Sequence, residues 1–164
     1  MWISSIFGAA RNGKGRCQAE KAVRPGILVI TVDDRLYYWL FSISIDIGWS
    51  IRRARTVEEA REDFSSRPMP VVVYDERLPR ADWRNGLRRL SAFPEHPAVL
   101  LAVPEVDEDL WQTVLRCQGY DVVKRSAGGN EWMQMLRFAW LSKEERAGRP
   151  HNGNPAPCAV APSA

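Results

Sequence analysis

Short apolar runs alternate with longer segments of mixed composition along most of the chain. The runs are rich in β-branched residues and end at charged or turn-forming residues, which is typical of buried strands in a parallel sheet. Several of the segments between them open with capping or acidic residues, as helices do. This alternation predicts a doubly wound α/β fold. The predicted strands are 27–32, 50–54, 70–74, 97–103 and 119–123, and the predicted helices are 34–47, 56–65, 82–92, 107–117 and 131–144.

Acidic residues follow two of the predicted strands at the point where each strand ends. Asp33 and Asp34 come after the first strand, and Asp75 comes after the third. Ligands in open α/β sheets bind beyond the carboxyl ends of the strands, so we expect the three carboxylates to share one edge. Crowded carboxylates are costly unless a cation offsets their charge, and Mg²⁺ prefers oxygen ligands. The pattern predicts a Mg²⁺ site, although each residue taken singly also fits a helix cap or a turn.

The charge of the chain is unevenly distributed. The net charge of +3 includes +4 from residues 1–26, which hold five Lys or Arg and one Glu. Residues 27–141 hold 15 basic and 17 acidic residues, a net of −2. The basic character therefore belongs mainly to the N-terminal segment, and the folded part lacks the charge of a nucleic-acid-binding domain. We predict three units: a low-order basic arm over 1–25, a folded domain over 26–145 and a disordered tail over 146–164.

The remaining composition excludes several classes of protein. The most hydrophobic stretch, 36–51, contains Asp46 and is shorter than the roughly 20 apolar residues of a membrane span. The first seven residues lack the basic region of a secretory signal. The three cysteines have no metal-ligand spacing and are expected to be free thiols. We therefore expect a cytoplasmic protein that does not bind a membrane.

Further short motifs lie at fixed distances from the acidic residues or from the predicted strands. Pro79 lies four residues after Asp75, and the segments 48–51 and 119–123 each begin with a Gly near the start of the second and fifth predicted strands. With these motifs, the segment 27–144 resembles the receiver domain (CheY-like) of bacterial two-component response regulators. The resemblance implies a flavodoxin-like, five-stranded parallel sheet in the order 2-1-3-4-5, with helices on both faces.

The resemblance also implies a specific chemistry for the acidic edge. Asp75 would accept a phosphoryl group from the phosphohistidine of a histidine kinase or phosphotransfer protein. Asp33 and Asp34 would help to bind Mg²⁺, with Asp34 as the direct ligand of the pair and with Asp75 and the Arg77 carbonyl as further ligands. The cation would screen the repulsion between the carboxylate and the anionic phosphoryl group. The expected protein is not an enzyme beyond Mg²⁺-dependent self-phosphorylation from a phosphodonor, and it signals to a downstream protein.

Two positions depart from the family pattern. The Ser or Thr that normally ends the fourth strand and hydrogen-bonds the phosphoryl group aligns with Ala102, which has no hydroxyl. The Lys that normally precedes a Pro after the fifth strand aligns with Arg125, with Ser126 in place of the Pro and Lys124 one residue earlier. Arg binds phosphate well, but its planar fork is not equivalent to an ammonium group. Lys124 and Arg125 are therefore expected either to contact the phosphoryl group or to be solvated loop charges.

Two functions remain open at this point. The first is a stand-alone receiver in a phosphorelay that signals through protein contacts. The second is a pseudo-receiver of the same fold that acts as an interaction module without phosphorylation, and a homodimer is compatible with either. A phosphohydrolase of the haloacid dehalogenase kind needs a second Asp two residues after the first, which neither acidic cluster supplies. A nucleotide-binding flavodoxin-like protein would have a Gly-rich phosphate loop after the first strand, where this sequence has none.

Overall fold

The computed structural model describes residues 25–147, which form one five-stranded sheet with a helix after each strand. The strands are β1 (Gly26–Ile30), β2 (Ser50–Ala54), β3 (Val71–Asp75), β4 (Ala98–Val103) and β5 (Asp121–Lys124). The helices are α1 (Asp34–Asp46), α2 (Val57–Ser66), α3 (Trp83–Ser91), α4 (Glu108–Arg116) and α5 (Gly129–Ala147). The strands lie in the order β2-β1-β3-β4-β5, and all four pairs are parallel. The predicted doubly wound, flavodoxin-like fold and its strand order are confirmed.

The predicted element boundaries agree with the structure to within a few residues. One difference concerns α5, which begins at Gly129, two residues before the predicted start at 131. The Gly128 carbonyl already accepts a hydrogen bond from the Trp132 N–H at 3.0 Å. Residues 146 and 147, which were predicted to belong to the disordered tail, belong to α5. Apart from residue 25, the rest of the predicted arm and tail lies outside the described residues and stays a prediction. Within the described part of the chain, no helix combines the length and the apolar composition that crossing a bilayer requires.

The three central strands are buried on both faces, which explains their near-continuous apolar sequence. Every residue of β1, β3 and β4 is buried, and Asp75 is the one charged residue among them. One face of the sheet packs against α2 and α3 through side chains such as Phe64 and Leu87. The other face packs against α1 and α5 through side chains such as Leu40 and Trp132. The sheet therefore has helices on both faces and a core on each side.

Polar caps determine where several helices begin. The Thr56 hydroxyl accepts a hydrogen bond from the Glu59 N–H at 3.1 Å, and the Glu59 carboxylate accepts one from the Arg55 N–H at 2.7 Å, an arrangement close to a capping box. Asp33 and Asp82 cap α1 and α3, each accepting from the N–H two residues ahead. Because Asp33 follows β1 closely, its cap fixes the start of α1 at the carboxyl edge of the sheet.

A close approach between β3 and α3 depends on Gly86. A Cβ at this position would lie 2.7 Å from the Tyr74 Cζ and hydroxyl oxygen. Tyr74 is fully buried, and its hydroxyl has no hydrogen-bond partner among the described residues. Burial, with the nearby charges of Asp82 and Asp75, raises the pKa of Tyr74 to about 12. The Tyr74 ring therefore occupies the space that a side chain on α3 would need.

We expect Gly86→Ala to lower the free energy of unfolding by about 1–3 kcal/mol, the usual cost of overpacking a core. The higher helix propensity of Ala acts in the opposite direction and contributes up to about 1 kcal/mol. Urea unfolding measures the change. Gly128→Ala is the matched control, because a Cβ there meets open space. Unchanged or higher stability of Gly86→Ala would show that the Tyr74 ring does not abut α3.

Candidate functional site

Asp75 lies at the centre of the carboxyl edge of the sheet. It is the last residue of β3 and is fully buried. Its Oδ2 accepts a hydrogen bond from the Thr31 hydroxyl at 2.5 Å. Its Oδ1 accepts from the Arg77 N–H at 3.1 Å and from the Arg125 guanidinium. Both oxygens of this carboxylate are therefore hydrogen-bonded, as a buried charge requires.

Arg125 joins two acidic residues that come from different strands. It follows β5 directly, and its N–H donates to the Val103 carbonyl at 2.7 Å. Its side chain is only 12% exposed. One terminal nitrogen donates to Asp75 Oδ1 and the other to Asp33 Oδ2, so a single guanidinium bridges both carboxylates. The fixed, planar arrangement of guanidinium donors suits such a bridge.

Asp33 both caps α1 and pairs with Arg125. Its Oδ1 accepts hydrogen bonds from the N–H groups of Arg35 and Leu36 at 2.8 and 3.4 Å. Its Oδ2 accepts from Arg125. Partial burial raises the pKa of this carboxyl, but the two backbone N–H groups and the Arg125 charge outweigh it, and the pKa lies below the ordinary 3.8. Asp33 is therefore charged at neutral pH.

Asp34 is not brought to this cluster. Its Oδ1 lies 2.6 Å from a terminal nitrogen of Arg53 on β2, and its side chain is mostly exposed. Because Asp33 is the cap, Asp34 is the first helical residue, and its side chain lies beside β2. The expectation that Asp34 is the direct carboxylate ligand of a metal does not match this geometry. Asp33 is the member of the acidic pair that approaches Asp75.

Lys124 also lies apart from Asp75. Its Nζ is 2.7 Å from Glu105 Oε2, and both side chains are exposed. Because successive residues of a strand point to opposite faces, Lys124 and Arg125 diverge at the end of β5. Of the two basic side chains predicted to contact the phosphoryl group, Lys124 and Arg125, only that of Arg125 contacts the carboxylates.

Thr31 is a contact of Asp75 that the sequence analysis missed. Its hydroxyl donates to Asp75 and also accepts from the Asp33 N–H at 2.9 Å. The sheet register pairs Asp75 with Ala102, and neither Ala102 nor Val103, the last residue of β4, carries a hydroxyl. A signal for Thr31 was present, because it is the one polar residue in the apolar run that leads to Asp33.

A shallow pocket opens beside the bridge. Arg77 and Arg35 are exposed and line it together with the Trp39 side chain. Arg77 contributes its N–H to Asp75, and the predicted use of its carbonyl stays a prediction. Through this pocket, solvent reaches one side of the hydrogen-bonded cluster formed by Asp33, Asp75 and Arg125.

Solved structures identify the fold, although no protein-family model and no curated protein matches the sequence. The signal receiver domain of an HD domain-containing protein from Pseudomonas fluorescens Pf-5 matches with 20% identity and a TM-score of 0.69, over 78% of this chain and 95% of that chain. A CheY-like response regulator receiver domain protein from Methanospirillum hungatei JF-1 matches with 11% identity and a TM-score of 0.67, over 75% and 98%. A response regulator receiver domain protein from Clostridium thermocellum matches with 17% identity and a TM-score of 0.66, over 74% and 98%. The chain has the receiver fold. At these identities the likeness shows the fold, and the chemistry has to be argued from the residues.

The acidic edge of this receiver fold does not fit Mg²⁺. Each carboxylate oxygen of Asp33 and Asp75 already accepts a hydrogen bond, and Arg125 bridges the two carboxylates. The third carboxylate, Asp34, is paired with Arg53. Among residues 25–147, no three His, Cys, Asp or Glu side chains are grouped as a metal site would require. The positive charge that the sequence led us to expect from a metal ion is supplied by Arg125.

We expect Arg125→Ala to lower the free energy of unfolding by about 3–5 kcal/mol, because it leaves the buried Asp75 charge without its charged partner. Combining it with Asp75→Asn should recover part of this loss, since a neutral amide needs no counter-charge. Lys124→Ala is the control, because its exposed pair with Glu105 contributes at most about 1 kcal/mol. Urea unfolding of the four proteins measures these differences. Equal losses for the Arg125 and Lys124 variants would show that the bridge does not stabilise the edge.

Proposed function

We propose that this chain is a receiver-fold signalling module that acts through protein–protein contacts without phosphorylation of Asp75. The observation that carries the proposal is the buried Asp75 carboxylate, whose oxygens are held by Thr31, Arg77 and Arg125. A carboxylate that attacks a phosphoryl group needs access to that group and positive charge that screens the repulsion, and Asp75 is fully buried. Here both oxygens are hydrogen-bonded, and the positive charge belongs to a side chain that is bonded to the carboxylate itself.

The end of β4 supports the same proposal. Ala102 and Val103 offer no hydroxyl to a phosphoryl group on Asp75, and Thr31 already donates to the carboxylate. A phosphoryl group would therefore find no side-chain partner on the last two residues of β4. In the receiver domains that this chain resembles, a Ser or Thr at this position hydrogen-bonds the phosphoryl group and thereby couples phosphorylation to a conformational change.

An exposed apolar strip on α1 supports a contact with another protein. Tyr38, Phe41 and Ile45 follow one another at intervals of three and four residues, so they share one side of the helix. Their side chains are 66%, 41% and 64% exposed. Large apolar side chains that are grouped on a surface mark interaction sites, whereas single ones do not. We therefore place a protein contact on this side of α1.

A phosphoryl-accepting receiver is the second candidate function. It is favoured by the position of Asp75 at the end of β3, within reach of the Arg125 side chain. In that case a histidine kinase or phosphotransfer protein supplies the phosphoryl group, and a downstream protein responds to the change. Guanidinium groups bind phosphate oxygens well. This function requires Arg125 to release Asp75 Oδ1 before the phosphoryl group arrives.

Labelling with acetyl phosphate in the presence of Mg²⁺ separates the two candidates. We expect the intact mass of the full-length protein to remain unchanged, while a phosphorylatable receiver treated in parallel gains an adduct. Asp75→Asn is the matched control, because the amide has nearly the size of the carboxylate but forms no acyl phosphate. An adduct on the wild type that is missing from Asp75→Asn would overturn the proposal in favour of the second candidate.

A photo-crosslinking residue placed at Phe41 tests the contact in cells of the native host. We expect a discrete crosslinked product that persists when Asp75→Asn is also present, because the contact does not depend on phosphorylation. The same probe at Glu62, an exposed position of α2, is the control. Loss of the product in the Asp75→Asn background, or equal labelling from both positions, would contradict the proposal.

A further inference from the structure

We propose that Arg125 permanently replaces the divalent cation at the acidic edge of this receiver fold, so that the site is independent of metal ions. The inference goes beyond the proposed function, which concerns phosphorylation, and adds the ion requirement of the same site. Both rest on the contact between Arg125 and Asp75.

The charges at the edge are met without a metal ion. Asp33 and Asp75 share the Arg125 guanidinium, and the third carboxylate, Asp34, pairs with Arg53. Three carboxylates thus face two guanidinium groups; backbone N–H groups also donate to Asp33 and Asp75, and the Asp34 side chain is 73% exposed to solvent. Crowded carboxylates need a cation when nothing else offsets their charge. Here the offsetting groups are part of the chain.

The Asp75 end of the bridge is shielded from water, whereas the Asp33 side chain at the other end is 34% exposed. The Arg125 side chain is 12% exposed and the Asp75 side chain is fully buried. Electrostatic interactions are stronger in such surroundings than in water. Mg²⁺ dehydrates reluctantly and demands near-octahedral oxygen ligands, so to bind both carboxylates it would have to compete with the guanidinium for their oxygens. An ion from solution therefore competes poorly with the side chain already in place.

The charge of Arg125 is permanent, and its backbone is held in position. A guanidinium keeps its proton throughout the pH range in which proteins are folded. The Arg125 N–H donates to the Val103 carbonyl, and the turn that follows is closed by the Ala127 N–H and the Lys124 carbonyl at 2.9 Å. The neighbouring cation, Lys124, is engaged with Glu105. Arg125 is thus the cation that this edge holds at the two carboxylates.

The test compares urea unfolding of the full-length wild type, Arg125→Gln and Lys124→Gln in Mg²⁺ and in Na⁺ of equal ionic strength. Gln retains hydrogen-bonding capacity at position 125 but removes the charge. Lys124→Gln removes the same charge one residue away and leaves the bridge intact. We expect Mg²⁺ to raise the unfolding midpoint of Arg125→Gln alone, with an apparent Mg²⁺ affinity at least roughly tenfold above that of the wild type.

Two results would overturn the inference. One is a Mg²⁺-dependent rise in the wild type equal to that in Arg125→Gln, and the other is a folded Arg125→Gln protein whose midpoint does not respond to Mg²⁺. If Arg125→Gln does not fold, calorimetric titration of the wild type with Mg²⁺ decides the matter. Binding that is lost in Asp75→Asn overturns the inference, and absence of such binding supports it.

The urea-unfolding experiment and the acetyl phosphate experiment test the two proposals separately. An adduct on Asp75, together with a wild type that does not respond to Mg²⁺ and an Arg125→Gln variant that does, would remove the proposed function and leave the role of Arg125 standing. No adduct, together with a wild type that binds Mg²⁺ through Asp75, would remove the role of Arg125 and leave the proposed function standing.

Discussion

The ion pair between Arg125 and Asp75 is the constraint on which the carboxyl edge of the sheet depends. Asp75 ends the central strand β3 and is fully buried, so its charge has to be met inside the protein. Arg125 comes from the end of β5 and contacts both Asp75 and Asp33, which follows β1. A single side chain therefore connects the ends of three strands that are far apart in the sequence. The strand order makes this connection short, since β4 alone separates β3 from β5.

The start of α1 belongs to the same network. Asp33 caps the helix with one carboxylate oxygen and pairs with Arg125 through the other, so the helix start and the ion bridge fix each other. Thr31 completes the arrangement, because its hydroxyl accepts from the Asp33 N–H and donates to Asp75. A fully satisfied polar network of this kind makes a region rigid. We therefore expect few residues to suffice to hold this edge of the sheet in one arrangement.

The position of the candidate site could be predicted from the sequence, but the direction of its side chains could not. Asp75 ends β3, and Asp33 follows the end of the neighbouring parallel strand β1, so the geometry of parallel sheets brings both residues to one edge. Asp34 follows Asp33 by one residue and lies elsewhere, because the helix cap at Asp33 decides where the next side chain goes. Lys124 and Arg125 are separated in the same way by the alternation of a strand. If the helix cap or the strand were shifted by one residue, the two members of each pair would exchange places. The sequence alone does not fix that register, whereas the structure does.

A buried ion bridge is weak evidence for stability as such, because well-packed apolar residues of similar volume often stabilise a core as much or more. What the bridge supplies instead is a constant charge state. A site that switches needs a charge or ligand whose presence differs between two states, as a bound metal ion or a phosphoryl group does. Under the role inferred for Arg125, its guanidinium holds Asp75 in the same surroundings whatever ions the solvent contains. Under the proposed function, the information that this receiver fold conveys therefore depends on which protein meets its surface rather than on the state of its acidic edge.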